Sequence, residues 1–291
     1  MRRQHDTATA VRPQQATSSI RSVLVHVEPG AETEPRLQTA AALANKLDAM
    51  LIGVGAEMIQ TQGLAEARGF ADSAWISDLQ KLVEENLSNA ETAFRANTGG
   101  LRTAWLALEE LPAPALARIS RGADLILAGG APLKFVDAYR MAQTAELVLL
   151  SGRPVLVAPP KGGKLGGEAV VVAWKDTREA RRAIADALPF LQMAQDVVVQ
   201  EICSEKDFTD AEVRTFAVVE YLARHGVAAR AKATVAPVAR TTIELNITAE
   251  SIGADLIVAG GYGHSRLGEW VFGGVTRSLL QEPERFVLLS H

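Results

Sequence analysis

Four glycines near the C-terminal end are spaced in a way that could hold a phosphate group. Gly260 and Gly263 follow an apolar run, whereas Gly273 and Gly274 precede a helical pattern that includes Val275. Glycine permits a positive φ and lets a ligand approach the backbone closely. The unpaired N–H groups at a helix start, with the positive end of the helix dipole, attract anions. From spacing alone, a phosphate site and a purely structural turn explain these glycines equally well.

The segment that leads into these glycines occurs twice. Gly122–Gly130 reads GADLILAGG, and Gly253–Gly261, 131 residues later, reads GADLIVAGG. Each half also has a β-branched opening run and a later apolar strand, which are Val23–Val27 with Arg153–Val157 in the first half and Val170–Trp174 with Arg285–Leu289 in the second. The chain is therefore built from two similar halves.

Each half alternates apolar strands with amphipathic helices. Strands that are apolar on both faces indicate a parallel sheet covered by helices on both sides. Because crossovers are right-handed, the sequence predicts an α/β fold of two tandem doubly wound parallel-sheet domains, with strand order 3-2-1-4-5 in each. Ligands of such sheets bind beyond the carboxyl ends of the first and fourth strands. In the second half this place comes just after Trp174 and Ala259.

The composition of Pro159–Gly167, which is rich in proline, glycine and lysine, is typical of a linker. The first half contains an additional helical stretch around Ala71–Asn97. We therefore predict a disordered tail, a first domain, a linker and a second domain, at residues 1–19, 20–160, 161–167 and 168–291.

The spacing G-x2-G-x9-G after the strand ADLIVAG resembles the nucleotide-binding motif of the universal stress protein family. Val170–Ala180 resembles that family's first strand and helix start, and two copies in one chain resemble its tandem type. The resemblance implies a cytoplasmic stress-response protein that binds ATP or another adenine nucleotide. It also implies that phosphates lie on the glycine loop and adenine near the first two strand ends. Mg²⁺ is expected only together with the nucleotide.

The resemblance implies these nucleotide-binding residues: Ala173, Lys175, Gly260, Gly263, His264, Gly273, Gly274, Val275 and Thr276. Two positions depart from the family pattern, because Gly274 replaces a serine or threonine and Lys175 replaces an acid. Loss of one hydroxyl–phosphate hydrogen bond costs about 1.5–3 kcal/mol. The backbone N–H of Gly274 remains, so we expect weakened binding rather than none.

The first half lacks the phosphate loop. Pro132, Ala142 and Gln143 stand where the second half has the last three motif glycines. Proline removes an N–H donor and fixes φ, and Gln143 adds bulk at the phosphate position. We expect the first half to be a structural or regulatory partner of the second.

Composition excludes several other functions. A net charge of −4 argues against general binding of nucleic acid or anionic membranes, and no apolar run is long enough to span a bilayer. The single cysteine, Cys203, excludes an internal disulfide and a multi-cysteine metal site. Ser265 lies in a near match to a hydrolase nucleophile elbow, but Leu267 replaces its second glycine.

These observations favour nucleotide binding without efficient catalysis. Two alternatives stay open: a slow ATPase or related adenylyl-transfer enzyme, and a nucleotide-free dimerisation scaffold. Because unpaired apolar strand edges associate, we expect Arg153–Val157 and Arg285–Leu289 to pair, either within the chain as a pseudo-dimer or between two chains as a homodimer.

Overall fold

The computed structural model of the chain describes residues 19–28, 33–59, 73–130, 137–262, 274–281 and 283–291. The strands within these ranges are β1 Ser22–His26, β2 Met50–Ala56, β3 Thr103–Leu108, β4 Leu125–Gly129, β5 Val155–Ala158, β6 Ala169–Trp174, β7 Asp196–Cys203, β8 Ala229–Val235, β9 Leu256–Gly260 and β10 Phe286–Ser290. The helices are α1 Thr33–Leu47, α2 Ser73–Asn97, α3 Pro112–Ile119, α4 Thr144–Leu150, α5 Arg178–Leu191, α6 Phe208–Arg224, α7 Thr241–Ile252 and α8 Gly274–Leu280. Residues 1–18 of the predicted tail lie outside the described residues.

The strands form one sheet in the order β3-β2-β1-β4-β5-β10-β9-β6-β7-β8. Within β1–β5, the first half, and within β6–β10, the second half, neighbouring strands are parallel and follow the order 3-2-1-4-5. The predicted α/β architecture and strand order are therefore confirmed. The two halves meet where β5 and β10 pair antiparallel.

Helices cover both faces of the sheet, which explains the continuous apolar runs of the central strands. Along β1, Val23 and Val25 pack in one buried cluster together with Leu37 of α1. Leu24 points to the opposite face and packs in a second cluster with Leu116 of α3. Alternate residues of one strand thus belong to two cores, which explains why the central strands are apolar on both faces.

The aspartate of the repeated GAD segment has the same role in both halves. Asp124 accepts hydrogen bonds from the backbone N–H groups of Arg21 and Ser22, at 2.8 and 3.0 Å. Asp255 accepts from those of Gly166 and Gly167, at 2.5 and 3.1 Å. Each carboxylate thereby ties the entry to the fourth strand of its half to the residues that enter the first strand.

The segment between β5 and β6 is held against the first half. Thr39 of α1 donates its hydroxyl to the Gly163 carbonyl at 2.9 Å and accepts from the Gly163 N–H at 3.0 Å. The Lys46 ammonium donates to the Leu165 carbonyl at 3.1 Å and to the Gly166 carbonyl at 2.5 Å. The predicted linker is therefore fastened at several points.

The two halves contact each other through their fifth strands and the turns beside them. Leu156 of β5 is in register with Leu288 of β10. A Cβ atom added to Gly261 would lie 2.8 Å from the Val148 side chain, which belongs to α4 of the other half. Both apolar fifth strands are therefore interior strands of the sheet.

Candidate functional site

The strand order of the second half reverses between β6 and β9, whose carboxyl ends lie side by side. Ala173 of β6 is in register with Ala259 of β9, and β7 lies on the other side of β6. We call this place, which is formed by the carboxyl ends of two interior strands, the β6/β9 edge. Ala173, Lys175 and Gly260 lie here, as the sequence predicted. Because α8 runs back towards the start of β10, its first residue, Gly274, also lies on the carboxyl-end side of the sheet.

Gly260 is required for a different reason from the expected one. Its φ is not positive, and a Cβ atom added there would lie 2.5 Å from the backbone nitrogen of Ala180. The first turn of α5 therefore packs directly on the end of β9. The expectation that Gly260 supplies a positive φ is wrong, and its close neighbour is a helix of the protein itself.

The left-handed conformation occurs two residues later, at Tyr262. This residue has φ +59° and a buried side chain. Burial raises the pKa of the Tyr262 hydroxyl to about 12, so the hydroxyl is neutral at physiological pH. A non-glycine residue in this conformation is uncommon and occurs often at functional sites. No motif in the sequence indicated it, because glycine was the expected residue for such a turn.

Three predicted site residues, Gly263, His264 and Gly273, lie outside the described residues. Gly274 is exposed, and a Cβ atom added there would meet no atom within 4 Å. The next two residues of α8 turn inwards, since Val275 packs against the second apolar cluster and Thr276 is buried.

The start of α5 already carries an anion. Thr177 accepts a hydrogen bond from the Ala180 N–H at 3.3 Å and caps the helix. The buried Glu179 carboxylate is paired with Arg178. Burial raises the pKa of Glu179, but hydrogen bonds from Arg178, from its own backbone and from Thr177 outweigh it and lower the pKa below its ordinary value. This helix start is thus occupied by a carboxylate, and Lys175 beside it is exposed.

The corresponding place in the first half, the β1/β4 edge, is filled by charged side chains. Val23 pairs with Leu125 as Val170 pairs with Leu256, so residues of β1 and β6 correspond at an offset of 147. By this correspondence, His26 and Glu28, both buried, replace Ala173 and Lys175.

Arg36 of α1 completes the filling of the β1/β4 edge. Its Nη1 lies 2.5 Å from Oε1 of Glu28, and its Nη2 would lie 2.9 Å from a Cβ atom on Gly129. Gly129 corresponds to Gly260, so an arginine side chain occupies the space beside the fourth strand. Sequence reasoning missed this ion pair because nothing in the spacing of the two residues indicates that they meet.

A chain segment closes the neighbouring end of β2. The Met58 N–H donates to the Tyr139 carbonyl at 2.9 Å, and Arg140 Nε lies 3.1 Å from Oε1 of Glu57. Asn86 donates to the same Glu57 oxygen at 3.0 Å. Burial raises the pKa of Glu57, and the hydrogen bond from Asn86 and the charge of Arg140 oppose this effect. The end of β2 is therefore in contact with the protein's own chain.

The described residues lack two other kinds of site. They contain no group of three or more His, Cys, Asp or Glu residues that could hold a metal ion. No helix among them has the length and apolar character needed to cross a membrane.

The sequence matches no protein-family model and no curated protein. Solved structures match over nearly the whole chain. A universal stress protein from Archaeoglobus fulgidus DSM 4304 matches with a TM-score of 0.66 at 15% identity, covering 92% of this chain and 95% of that one. A protein described as a universal stress protein of Pseudomonas aeruginosa UCBPP-PA14 matches with a TM-score of 0.59 at 19% identity, covering 95% of each chain.

A functionally unknown protein from Pseudomonas aeruginosa PAO1 gives a TM-score of 0.58 at 19% identity, covering 94% of each chain. These likenesses extend across both halves of the chain. The chain therefore has the fold of the universal stress proteins.

Proposed function

We propose that the chain is a tandem universal stress protein that binds one adenine nucleotide, ATP, at the β6/β9 edge. Its two domains would be residues 20–160 and 168–291, joined by 161–167, and its role would be regulatory, in the cytoplasmic stress response. Mg²⁺ would enter only with the nucleotide.

The observation that carries this proposal is the difference between the two edges. At the first strand end, the second half has the small, partly exposed Ala173 and the exposed Lys175. The first half has the buried His26 and Glu28 at the same positions, with Arg36 beside them. A flat heterocycle needs an accessible cleft, and among the described residues the strand end at the β6/β9 edge carries smaller and more exposed side chains than the one at the β1/β4 edge.

The placement of the phosphates follows from Glu179. Its carboxylate occupies the start of α5, and a phosphate there would meet a like charge. The phosphates would instead lie on the segment from Gly260 to Thr276. Gly274 supports this placement, because it is exposed and no other described residue comes within 4 Å of a Cβ atom added there.

Calorimetric titration of the full chain with ATP tests the proposal, and one site per chain is expected. Ala173→His would import the side chain that fills the first half, and it should weaken ATP binding by more than about tenfold. Ala231→His, at an exposed position of β8, is the matched control and should bind as the parent does. Two equal sites per chain, or unchanged binding by Ala173→His, would contradict the proposal.

A nucleotide-free scaffold is the second candidate, and the β5–β10 pair favours it. This pairing joins the halves into one sheet through backbone hydrogen bonds between their fifth strands. A full chain that binds no adenine nucleotide in the titration, while thermal melting shows it folded, would support the scaffold function.

A further inference from the structure

The two outer strands of the sheet, β3 and β8, differ in how they are protected against pairing with another chain. Arg230 and Lys232 lie within β8, and charged side chains on an outer strand discourage a further strand from pairing. β3 reads TAWLAL and contains no charged residue, and all six of its residues are at least partly exposed. Within the described ranges, β3 is therefore an outer strand without this protection.

The outer side of β3 presents backbone groups that a further strand could bind. The Leu51 N–H of β2 donates to the Arg102 carbonyl at 2.9 Å, so the even-numbered residues of β3 direct their backbone groups towards β2. Because successive residues of a strand alternate in direction, Thr103, Trp105 and Ala107 direct theirs away from β2. No other strand of the described part of the chain pairs with that side.

The largest side chain of β3 leaves this outer side uncovered. Cβ atoms added to Gly53 and Gly55 of β2 would lie 2.8 and 3.0 Å from the Trp105 ring. The centroid of this ring lies 5.3 Å from that of Phe94 in α2. The two glycines thus make room for the indole to lie over β2, whereas the neighbouring Leu106 is 36% exposed.

The two ends of β3 carry opposite excess charges. The exposed cluster before β3 consists of Arg21, Asp48 and Arg102. The exposed cluster after β3 consists of Glu109, Glu110 and Arg118. Two bases and one acid leave an excess positive charge at the start of the strand, and two acids and one base leave an excess negative charge at its end. Such a strand is complementary to an antiparallel copy of itself.

We propose that β3 pairs antiparallel with β3 of a second copy of this chain and joins the two sheets into one. Interfaces between identical chains are self-complementary about a two-fold axis, which is the property that the charges at the ends of β3 have. In the register that places Leu106 opposite Leu106 of the second copy, Arg102 lies opposite Glu110. The oppositely charged clusters then meet at both ends of the paired strands.

The backbone and the side chains of β3 fit the same register. It places the outward-directed Ala107 opposite Trp105 of the second copy, so the two residues exchange backbone hydrogen bonds as an antiparallel pair requires. On the other face, Ala104 lies opposite Leu108. Each of these pairs combines a small residue with a large one, which allows the two strands to approach without a clash.

Light scattering of the full chain over a dilution series tests the proposal, and the mass should rise to that of two chains. Leu106→Lys would place two ammonium groups opposite each other on the two-fold axis and should raise the dissociation constant of the dimer at least about tenfold. Val235→Lys adds the same charge at an exposed valine of the other outer strand and should dimerise as the parent does. Circular dichroism shows whether both variants fold.

Disulfide cross-linking with oxidised glutathione tests the register. Leu106→Cys would place two thiols opposite each other with Cα atoms about 4.5 Å apart, a distance that a disulfide spans, and should give a covalent dimer. Ala104→Cys is the matched control on the same face of β3. Its thiol would lie four residues from that of the second copy, about 14 Å away, and should not cross-link. The native Cys203 is buried, so the parent should remain a single chain on a denaturing gel.

A full chain that stays monomeric at every concentration would overturn the proposal, and so would a dimer that Leu106→Lys leaves as stable as the parent. Equal cross-linking of the two cysteine variants would show that the strands do not pair in this register. Should Leu106→Lys not fold, the comparison of Leu106→Cys with Ala104→Cys decides the question.

Discussion

His26 and Ala173 occupy the same position in the two halves and have opposite environments. His26 is fully buried, and burial lowers its pKa to about 4, although the charge of Glu28 opposes this and that of Arg36 adds to it. The imidazole is therefore neutral at physiological pH. Its uncharged ring fits between the Glu28–Arg36 ion pair and the apolar second core.

The stability of the protein should fall as the pH drops through the titration range of His26. The folded-state pKa lies below the ordinary value of 6.5, so the unfolded chain binds the proton more readily. The stabilising effect is complete above pH 6.5 and is lost as the pH falls towards about 4. Urea unfolding across this range should show a smaller decrease in the free energy of unfolding for His26→Gln than for the parent. The exposed control His225→Gln should show the same decrease as the parent. Equal decreases in all three proteins would contradict the prediction.

Gly274→Ser should bind ATP more tightly than the parent. The added hydroxyl donates to a phosphate and has open space around it, and one such bond is worth about tenfold to a hundredfold in affinity. Serine also has a higher helix propensity than glycine, and Gly274 is the first residue of α8, so folding should not suffer. The matched control is Gln143→Ser, at the corresponding position of the first half, which should leave affinity unchanged. Tighter binding by both variants would mean that phosphates do not lie at Gly274.

The positions of site residues that depend on strand order alone could be predicted from the sequence. The repeat and the apolar strands place Ala173 and Gly260 at one edge, and the structure agrees. The expected positive φ of Gly260 is wrong, because the close approach of Ala180 that requires a glycine there depends on how α5 packs and leaves no periodic signal. The ion pair of Glu28 and Arg36 was missed because the separation of two residues along the chain predicts a contact only when both lie in one regular helix or strand pair.

At the scale of elements, the repeated aspartates fasten the start of each half to its fourth strand. Asp255→Asn should lower the free energy of unfolding by about 1–3 kcal/mol, since the carboxylate accepts two backbone N–H groups and the amide has one acceptor oxygen. Asp196→Asn, which breaks the exposed pair with Arg230, should cost less than about 1 kcal/mol. Denaturant unfolding measures both, and equal effects would show that the Asp255 hydrogen bonds add nothing.

Most helices and strands were predictable to within a few residues. The expected helical stretch around Ala71–Asn97 is α2 Ser73–Asn97, and the expected strand Arg285–Leu289 is β10 Phe286–Ser290. The segment 159–167 was harder, because its proline and glycine content is typical of a loose linker. Its hydrogen bonds with Thr39 and Lys46 join residues far apart in sequence, and local composition holds no information on them.

At the scale of the whole molecule, the antiparallel pairing of β5 and β10 determines the direction in which the β1/β4 edge and the β6/β9 edge face. Strands within each half are parallel, and the strands of one half run opposite to those of the other. The carboxyl ends of the strands therefore lie on one side of the sheet in the first half and on the opposite side in the second. The β1/β4 edge and the β6/β9 edge therefore face away from each other. A ligand at one edge would act on the other half through contacts between the halves, such as the β5–β10 pair and the hydrogen bond from Arg182 to the Gly152 carbonyl.

A fragment of residues 168–291 should associate into pairs. Removing the first half exposes β10, whose residues are all buried in the full chain, and an exposed apolar strand edge recruits another strand. Light scattering should give twice the fragment mass, with circular dichroism as the control for folding. A folded, monomeric fragment would contradict this prediction. The ATP affinity of the fragment should stay within about tenfold of that of the full chain, because the proposed site lies in this half.

Covalent fusion of the two halves also separates their evolutionary constraints. In a pair of identical chains, every substitution appears twice, so a histidine that filled one binding cleft would fill both. In this chain a mutation at the β1/β4 edge is inherited alone, and the β6/β9 edge keeps its small residues. Selection could therefore use one copy to consolidate the shared sheet with a buried ion pair while the other copy kept the small residues of the proposed site. The division of labour between His26 and Ala173 is available only to a protein whose pseudo-symmetric halves are encoded separately.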